Sequence, residues 1–149
     1  MKTTLKTYAL LLSLLLASCA SYYDHYTLSE TVFTKVMVES LINKATSPYA
    51  DHEAAVNDLQ LQLQKMLLYE KTKKKNLIMQ QMWALLNSEN SSLQGFLKTW
   101  KDQGTLSPVF IEEFSPETLK LFDLMIDFES QKDEKSESAL KQILNGVFN

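Results

Sequence analysis

The chain has 149 residues, with 15 basic against 18 acidic side chains, three glycines, three prolines and a single cysteine. Every basic residue is lysine, and without arginine's planar fork an acidic chain is poorly equipped for nucleic acid. Few Gly and Pro leave little material for tight β turns, and abundant Leu, Lys, Gln, Glu and Ala predict an all-α fold, an irregular bundle of four to six helices in one domain. One cysteine excludes a disulfide framework, so packing must hold the body together.

Lys2 and Lys6 precede an apolar run, Tyr8 to Leu16, interrupted only by Ser13, and small residues Ala17 and Ser18 follow. This is the layout of a secretory signal peptide. A membrane-crossing helix needs about 20 apolar residues, and Tyr22, Tyr23, Asp24 and His25 close this run too early. The last four residues, Leu16-Ala17-Ser18-Cys19, resemble the lipobox of bacterial lipoproteins position by position. That resemblance implies a diacylglycerol thioether on Cys19, cleavage before it and acylation of the new amino terminus. The partner it implies is a membrane, held through those acyl chains at about 0.8 kcal/mol per buried methylene. Ala20 stands where Asp would retain an enteric-type lipoprotein in the inner membrane, which points to the outer membrane and its periplasmic face. Loss of residues 1–18 would leave 131 residues, and loss of Lys2 and Lys6 a balance of 13 lysines against 18 acids.

Residues 19–26 read as a lipidated tether, within which Ser21 to Tyr26 span at most about 20 Å. Tyr22, Tyr23 and Tyr26 suit either packing on the first helix or the headgroup level of a bilayer. Thr27-Leu28-Ser29-Glu30 has the form of a capping box. Behind it, Val32, Phe33, Val36, Met37, Ser40 and Leu41 form a stripe expected to be buried, in a helix ending near Asn43 to Thr46. Ser47-Pro48 reads as the next N-cap and first helical position. The second helix has the seam Ala55, Val56, Leu59, Leu63, Met66 and Leu67, which Leu61 and Leu68 widen towards a second neighbour. The run Lys71 to Asn76 interrupts the pattern as a solvated turn or as an attraction for anionic headgroups.

The stripe resumes over Ile78, Met82, Trp83, Leu85 and Leu86, breaks at Asn87 to Ser92, and returns over Leu93, Phe96, Leu97 and Trp100 with Gly104 as its stop. Ser107-Pro108 and Ser115-Pro116 each read as a helix start: a short turn over Val109 to Phe114, then a longer helix on Leu119, Phe122, Met125 and Ile126. The helical domain is expected over 27–131. Residues 132–149 continue a charged linker that begins at Ser130 and carry a tail with Leu140, Ile143, Leu144 and Val147 at helical spacing. That tail is either a docked last helix or a segment ordering on a partner.

A catalytic or metal site needs converging groups. The two histidines, His25 and His52, stand apart, and consecutive Asp51, His52 and Glu53 point about 100° apart on a helix. No HExxH, phosphate loop or nucleophile elbow occurs, so no catalytic residue, metal ligand or cofactor is assigned and the chain is read as non-enzymatic. Trp83, Phe96, Trp100 and Phe110 read as bundle core, with an aromatic groove for a lipid or peptide as the alternative. From Glu112 to Glu137 nine acids face three lysines. Glu112, Glu113, Asp123 and Asp127 in that stretch are the candidate contacts for a basic envelope protein. Leu41 to Glu53, Gly95 to Lys101 and Leu106 to Glu113 further resemble segments of a group of small exported bacterial proteins, which implies one recurring domain over about Leu28 to Gln131 and carries no activity. The expected function is an anchored interaction module of the cell envelope.

Overall fold

Asp24 opens the first helix. Its carboxylate accepts the N–H of Tyr26 at 2.9 Å and of Thr27 at 3.2 Å, satisfying free amides of the first turn. The computed structural model describes residues 24–148, so the signal-like run, the lipobox with Cys19, and Tyr22 and Tyr23 lie outside the described residues. Helix α1 spans His25–Lys44, α2 Glu53–Lys71, α3 Leu77–Leu86, α4 Ser92–Gln103, α5 Pro108–Gln131 and α6 Glu134–Phe148, with a 3-10 turn at Tyr49–His52 between α1 and α2. These six helices form a single all-α bundle with no strand among the described residues.

Several boundaries fall where residue chemistry placed them. Gly104 takes φ +80° and returns its N–H to Trp100 O at 2.8 Å, a backbone angle that favours glycine. Ser107 caps α5 through Phe110 N–H, with Pro108 at the first position. The links after α1 and α4 are bonded to each other: Leu106 N–H donates to Ala45 O at 2.8 Å and Tyr49 N–H to Gly104 O at 2.7 Å.

Other boundaries differ from expectation. Asp24, not Thr27, caps α1, which leaves Thr27 and Glu30 inside the helix to bond α2 instead. Ser47-Pro48 opens only the 3-10 turn, and the Ser47 hydroxyl bonds Lys44 O at 2.6 Å. Ser115-Pro116 starts nothing: α5 continues through Pro116, and Ser115 Oγ donates back to Ile111 O at 2.6 Å. The charged linker shrinks to Lys132 and Asp133. Lys132 stops α5 in the left-handed region, with φ 52°, and Asp133 accepts Ser136 N–H at 2.7 Å to start α6. The tail is thus a docked helix, with Leu140 and Leu144 buried, packed on α5 and α3.

The largest departure is the rotation of α1. Its buried side is Thr27, Thr31, Thr34, Val38, Leu41 and Ile42. Of the stripe expected in the core, Leu41 is buried and Met37 half-buried, but Val32, Phe33, Val36 and Ser40 face solvent, with Val32 42%, Phe33 53% and Val36 55% exposed. On α2, Leu61 and Leu68 are also exposed and Gln62 is buried, so the seam is not widened by those leucines. The cause is polar pairing between the two helices. Thr31 and Thr34 donate to the carbonyls of Thr27 and Glu30 at 2.7 Å, and Gln62 donates to Glu30 at 2.7 Å and to Thr34 at 3.1 Å. Each buried hydroxyl is bonded, so this interface avoids the desolvation cost of orphaned polar groups.

Substitutions on the two sides of this seam should therefore differ sharply in cost. Leu59→Ala, at a fully buried position, is expected to destabilise by about 2–5 kcal/mol, and Val36→Ser to stay within about 0.5 kcal/mol. Urea unfolding of both variants measures this; the reverse order would place Val36 in the core.

Candidate functional site

One end of the bundle carries a charged cluster built by four segments. Asp24 begins α1, Tyr69 and Glu70 end α2, Lys73 and Asn76 lie in the following loop, and Glu129 and Lys132 end α5. The side chains of Glu70 and Glu129 are fully buried, each paired with a lysine: Lys73 at 2.5 Å and Lys132 at 2.6 Å. Lys73 also reaches Asp24 at 2.6 Å and donates to Thr27 Oγ1. The Asn76 amide donates to Glu129 at 2.7 Å, and at a longer 3.4 Å to Glu70. The two ammonium groups sit over aromatic rings, Lys73 over Tyr69 at 4.4 Å and Lys132 over Phe128 at 4.6 Å.

The pKa shifts follow from this pairing. Burial alone would raise the Asp24 carboxyl; Lys73, the Thr27 N–H and the Tyr69 hydroxyl outweigh it and bring the value from 3.8 to about 2. Desolvation works against the Lys73 ammonium, yet Asp24 and Glu70 raise its pKa overall. Burial and the adjacent Asp24 raise Tyr69. A cavity of about 600 Å³ opens here, lined by Asp24, Tyr69, Lys73, Lys74, Lys75, Asn76, Phe128, Lys132 and Glu137. Lys73 and Lys132 spend their charge on buried carboxylates, so the cluster works as a clamp joining α1, α2 and α5. Lys71, Lys74 and Lys75 of the basic run are exposed at this same end, beside the point where the chain leaves towards Cys19.

The aromatic candidates lie in the interior. Trp83, Phe96 and Trp100 are fully or almost fully buried, and Phe110 is half-buried. Phe96 is the hub, with ring centroids 6.5 Å from Trp100, 6.3 Å from Phe110 and 5.9 Å from Phe114. Trp100 Nε1 donates to Ser47 O at 3.0 Å. These four residues line none of the surface cavities of about 600, 500, 270 and 260 Å³.

The acidic candidates lie on the outer side of α5. Glu112, Glu113, Asp123 and Asp127 are all exposed. Asp123 pairs with Lys35 of α1 at 2.6 Å, whereas Glu112, Glu113, Glu117 and Asp127 form no ion pair among the described residues. Other acids of that stretch serve the fold: Glu129 in the clamp, Asp133 as a cap and Glu137 with Lys141.

His52 lies 2.6 Å from Ser47 Oγ, with its ring 5.6 Å from that of Trp100. The Ser47 proton goes to Lys44 O, which can only accept, so His52 donates to Ser47 and does not activate it. No group of three His, Cys, Asp or Glu able to hold a metal ion occurs among the described residues. No described helix is long and apolar enough to cross a membrane.

Sequence reasoning missed an exposed apolar surface on the outer face of α1 and α2. Phe33, Met37, Asp58, Leu61, Gln62 and Lys65 line a shallow cavity of about 500 Å³, and Val36, Met37, Ser40, Leu41, Ala55 and Asp58 line one of about 260 Å³. The signal was available in the inner stripe Thr27, Thr31, Thr34, Val38, Leu41 and Ala45, which repeats at four- and three-residue steps and is buried throughout. Three threonines concealed it from an apolar reading. No protein-family model, curated protein or solved structure matches the chain.

The clamp makes two predictions for unfolding experiments. Lys73→Ala leaves Glu70 buried and uncompensated and should cost about 3–5 kcal/mol, against less than about 0.5 kcal/mol for exposed Lys74→Ala. Asp24 has a folded pKa below its unfolded value, so its contribution is present above pH 3.8 and lost as pH falls towards 2. Asp24→Asn should cost about 1–2 kcal/mol at pH 7. That difference from wild type should narrow between pH 4 and pH 2; a constant gap would contradict the assignment.

Proposed function

We propose that this protein is a lipid-anchored, non-enzymatic interaction module of the bacterial cell envelope, held by acyl chains on Cys19 to the periplasmic face of the outer membrane. The observation that carries this reading is the apolar surface left on the body: Phe33, Val36 and Leu61 are exposed and line the two shallow cavities on the outer face of α1 and α2. A small domain gains nothing for its own stability by exposing such a patch, and patches of this kind mark contact surfaces. Asp24, where the body begins, is five residues beyond Cys19, a reach of at most about 17 Å. The surface therefore works close to the bilayer, where anchoring raises the local concentration of a partner.

The acidic ridge of α5 supports a second contact of different chemistry. Glu112, Glu113, Glu117 and Asp127 are exposed along one side of a helix, suited to steering a basic envelope protein. Its strength should fall with salt, because exposed charges are screened over about 8–10 Å at physiological ionic strength.

Two variants of the full chain test the proposal in cells. Cys19→Ser should release a folded body from alkaline-washed membranes. A photo-crosslinking side chain at Val36 should capture a discrete protein band that one at exposed Gln64 does not. Retention of the Cys19→Ser chain on washed membranes would contradict the anchor, and equal capture at both positions would contradict the contact face.

A further inference from the structure

The exposed face of α1 has a regular order. Tyr26, Ser29, Phe33, Val36, Ser40 and Asn43 are all exposed, at steps of three, four, three, four and three residues, and none is charged. This is the spacing of a seam that packs against another helix. The spacing of the seam is symmetric about a point between Thr34 and Lys35. Reversal exchanges Tyr26 with Asn43, Ser29 with Ser40, and Phe33 with Val36.

We propose that the occupant of this face is a second copy of the same chain, docked by antiparallel pairing of α1 with α1 about a two-fold axis. This rests on the reading of the face as a contact surface and not on the lipid anchor. A two-fold contact requires a surface complementary to itself. Antiparallel pairing sets each large ring against a smaller residue, Phe33 on Val36 and Tyr26 on Asn43, and serine on serine between them. Parallel pairing would instead stack Phe33 on Phe33 and Tyr26 on Tyr26, with serine layers too thin to fill the space between those rings. Leu61, beside Phe33 and Met37 in the same cavity, widens the apolar centre.

The flanking charges permit this approach. Glu30 is held by Lys65 at 2.5 Å and Glu39 by Lys35 at 3.4 Å within each chain, Lys35 also serving Asp123; Asp58, exposed beside Met37, is an acid that the pairing must leave at its solvated rim. With rings of ~200 Å² about half exposed, the apolar side chains offer roughly 400–500 Å² per copy, and the polar seam residues and rim bring the pair to about the 1,200 Å² at which specific interfaces begin. Serines and asparagine within the seam suit a protein helix better than a lipid surface. The pairing also separates Tyr26 of the two chains by about 26 Å along the helices, so both tethers can reach one membrane with the helices lying parallel to it.

The test is made in cells on the full chain, with two differently tagged copies, one carrying Ser29→Cys and the other Ser40→Cys. The parent chain, whose only cysteine is Cys19, is the blank. Mild oxidation should give a mixed disulfide only when both variants are present, and Val36→Glu in both copies should abolish it. A crosslink from Ser29→Cys alone would overturn the proposal in favour of parallel pairing. Detergent-solubilised full chain should have the mass of a dimer, reduced to a monomer by Val36→Glu. A monomeric parent whose Val36 captures a different protein would overturn the self-pairing and leave the contact face standing. A monomer whose α1 face is protected only by vesicles of phosphatidylethanolamine and phosphatidylglycerol would overturn it in favour of the membrane.

Discussion

The buried carboxylate of Glu70 constrains the rest of the molecule. A charge taken fully out of water must be paired and hydrogen-bonded or it costs several kcal/mol, and its partners come from outside α2. Thr27 of α1 donates to it at 2.5 Å, and Lys73, itself tied to Asp24, reaches it from the loop. Those bonds fix the rotation of α1 about its axis. Once Thr27 and Thr34 bond to α2 and Thr31 is buried beside them, Val32, Phe33 and Val36 face solvent. A feature that looks like a packing fault is the geometric result of satisfying one ion.

The same logic orders the far side of the cluster. Asn76 joins Glu70 to Glu129, and Glu129 holds Lys132, the residue that turns the chain from α5 into α6. The last helix then returns Leu140 and Leu144 to the core. The aromatic hub of Phe96, Trp100, Phe110 and Phe114 supports the opposite part of the bundle by packing. One region is set by charge and the other by apolar burial, and the outer face of α1 belongs to neither. That is why this face remains exposed.

Much of the fold was legible. The helix starting at Ser107-Pro108, the stop at Gly104 and the buried seam of Val56, Leu59, Leu63 and Met66 depend on local chemistry and spacing, which a sequence displays directly. The rotation of α1 was not legible, because apolar spacing favoured the wrong face and the deciding partner, Glu70, lies 43 residues beyond Thr27. Pro116 misled for a related reason: its missing N–H is tolerated where the surrounding helix is held by packing at Thr118, Leu121 and Phe122. Among candidate site residues, the exposure of Glu112, Glu113 and Asp127 followed from helical spacing. The outer α1 face could be read only once the threonine stripe was seen as the inner one.

The account's central claim is that the clamp turns an apolar face outward and that the face is covered when the protein is at work. Its most direct measurement is the rate at which a membrane-impermeant maleimide modifies Val36→Cys in the full chain, against the parent chain as blank. Diluted in detergent far below the concentration at which the dimer's mass is measured, so that copies separate, the thiol should react at nearly the rate of a free one. In envelopes opened to the reagent it should be strongly protected. A thiol unreactive in dilute detergent would show that Val36 is packed inside the body, and equal reactivity in both settings would show that nothing covers the face; either result would contradict the account.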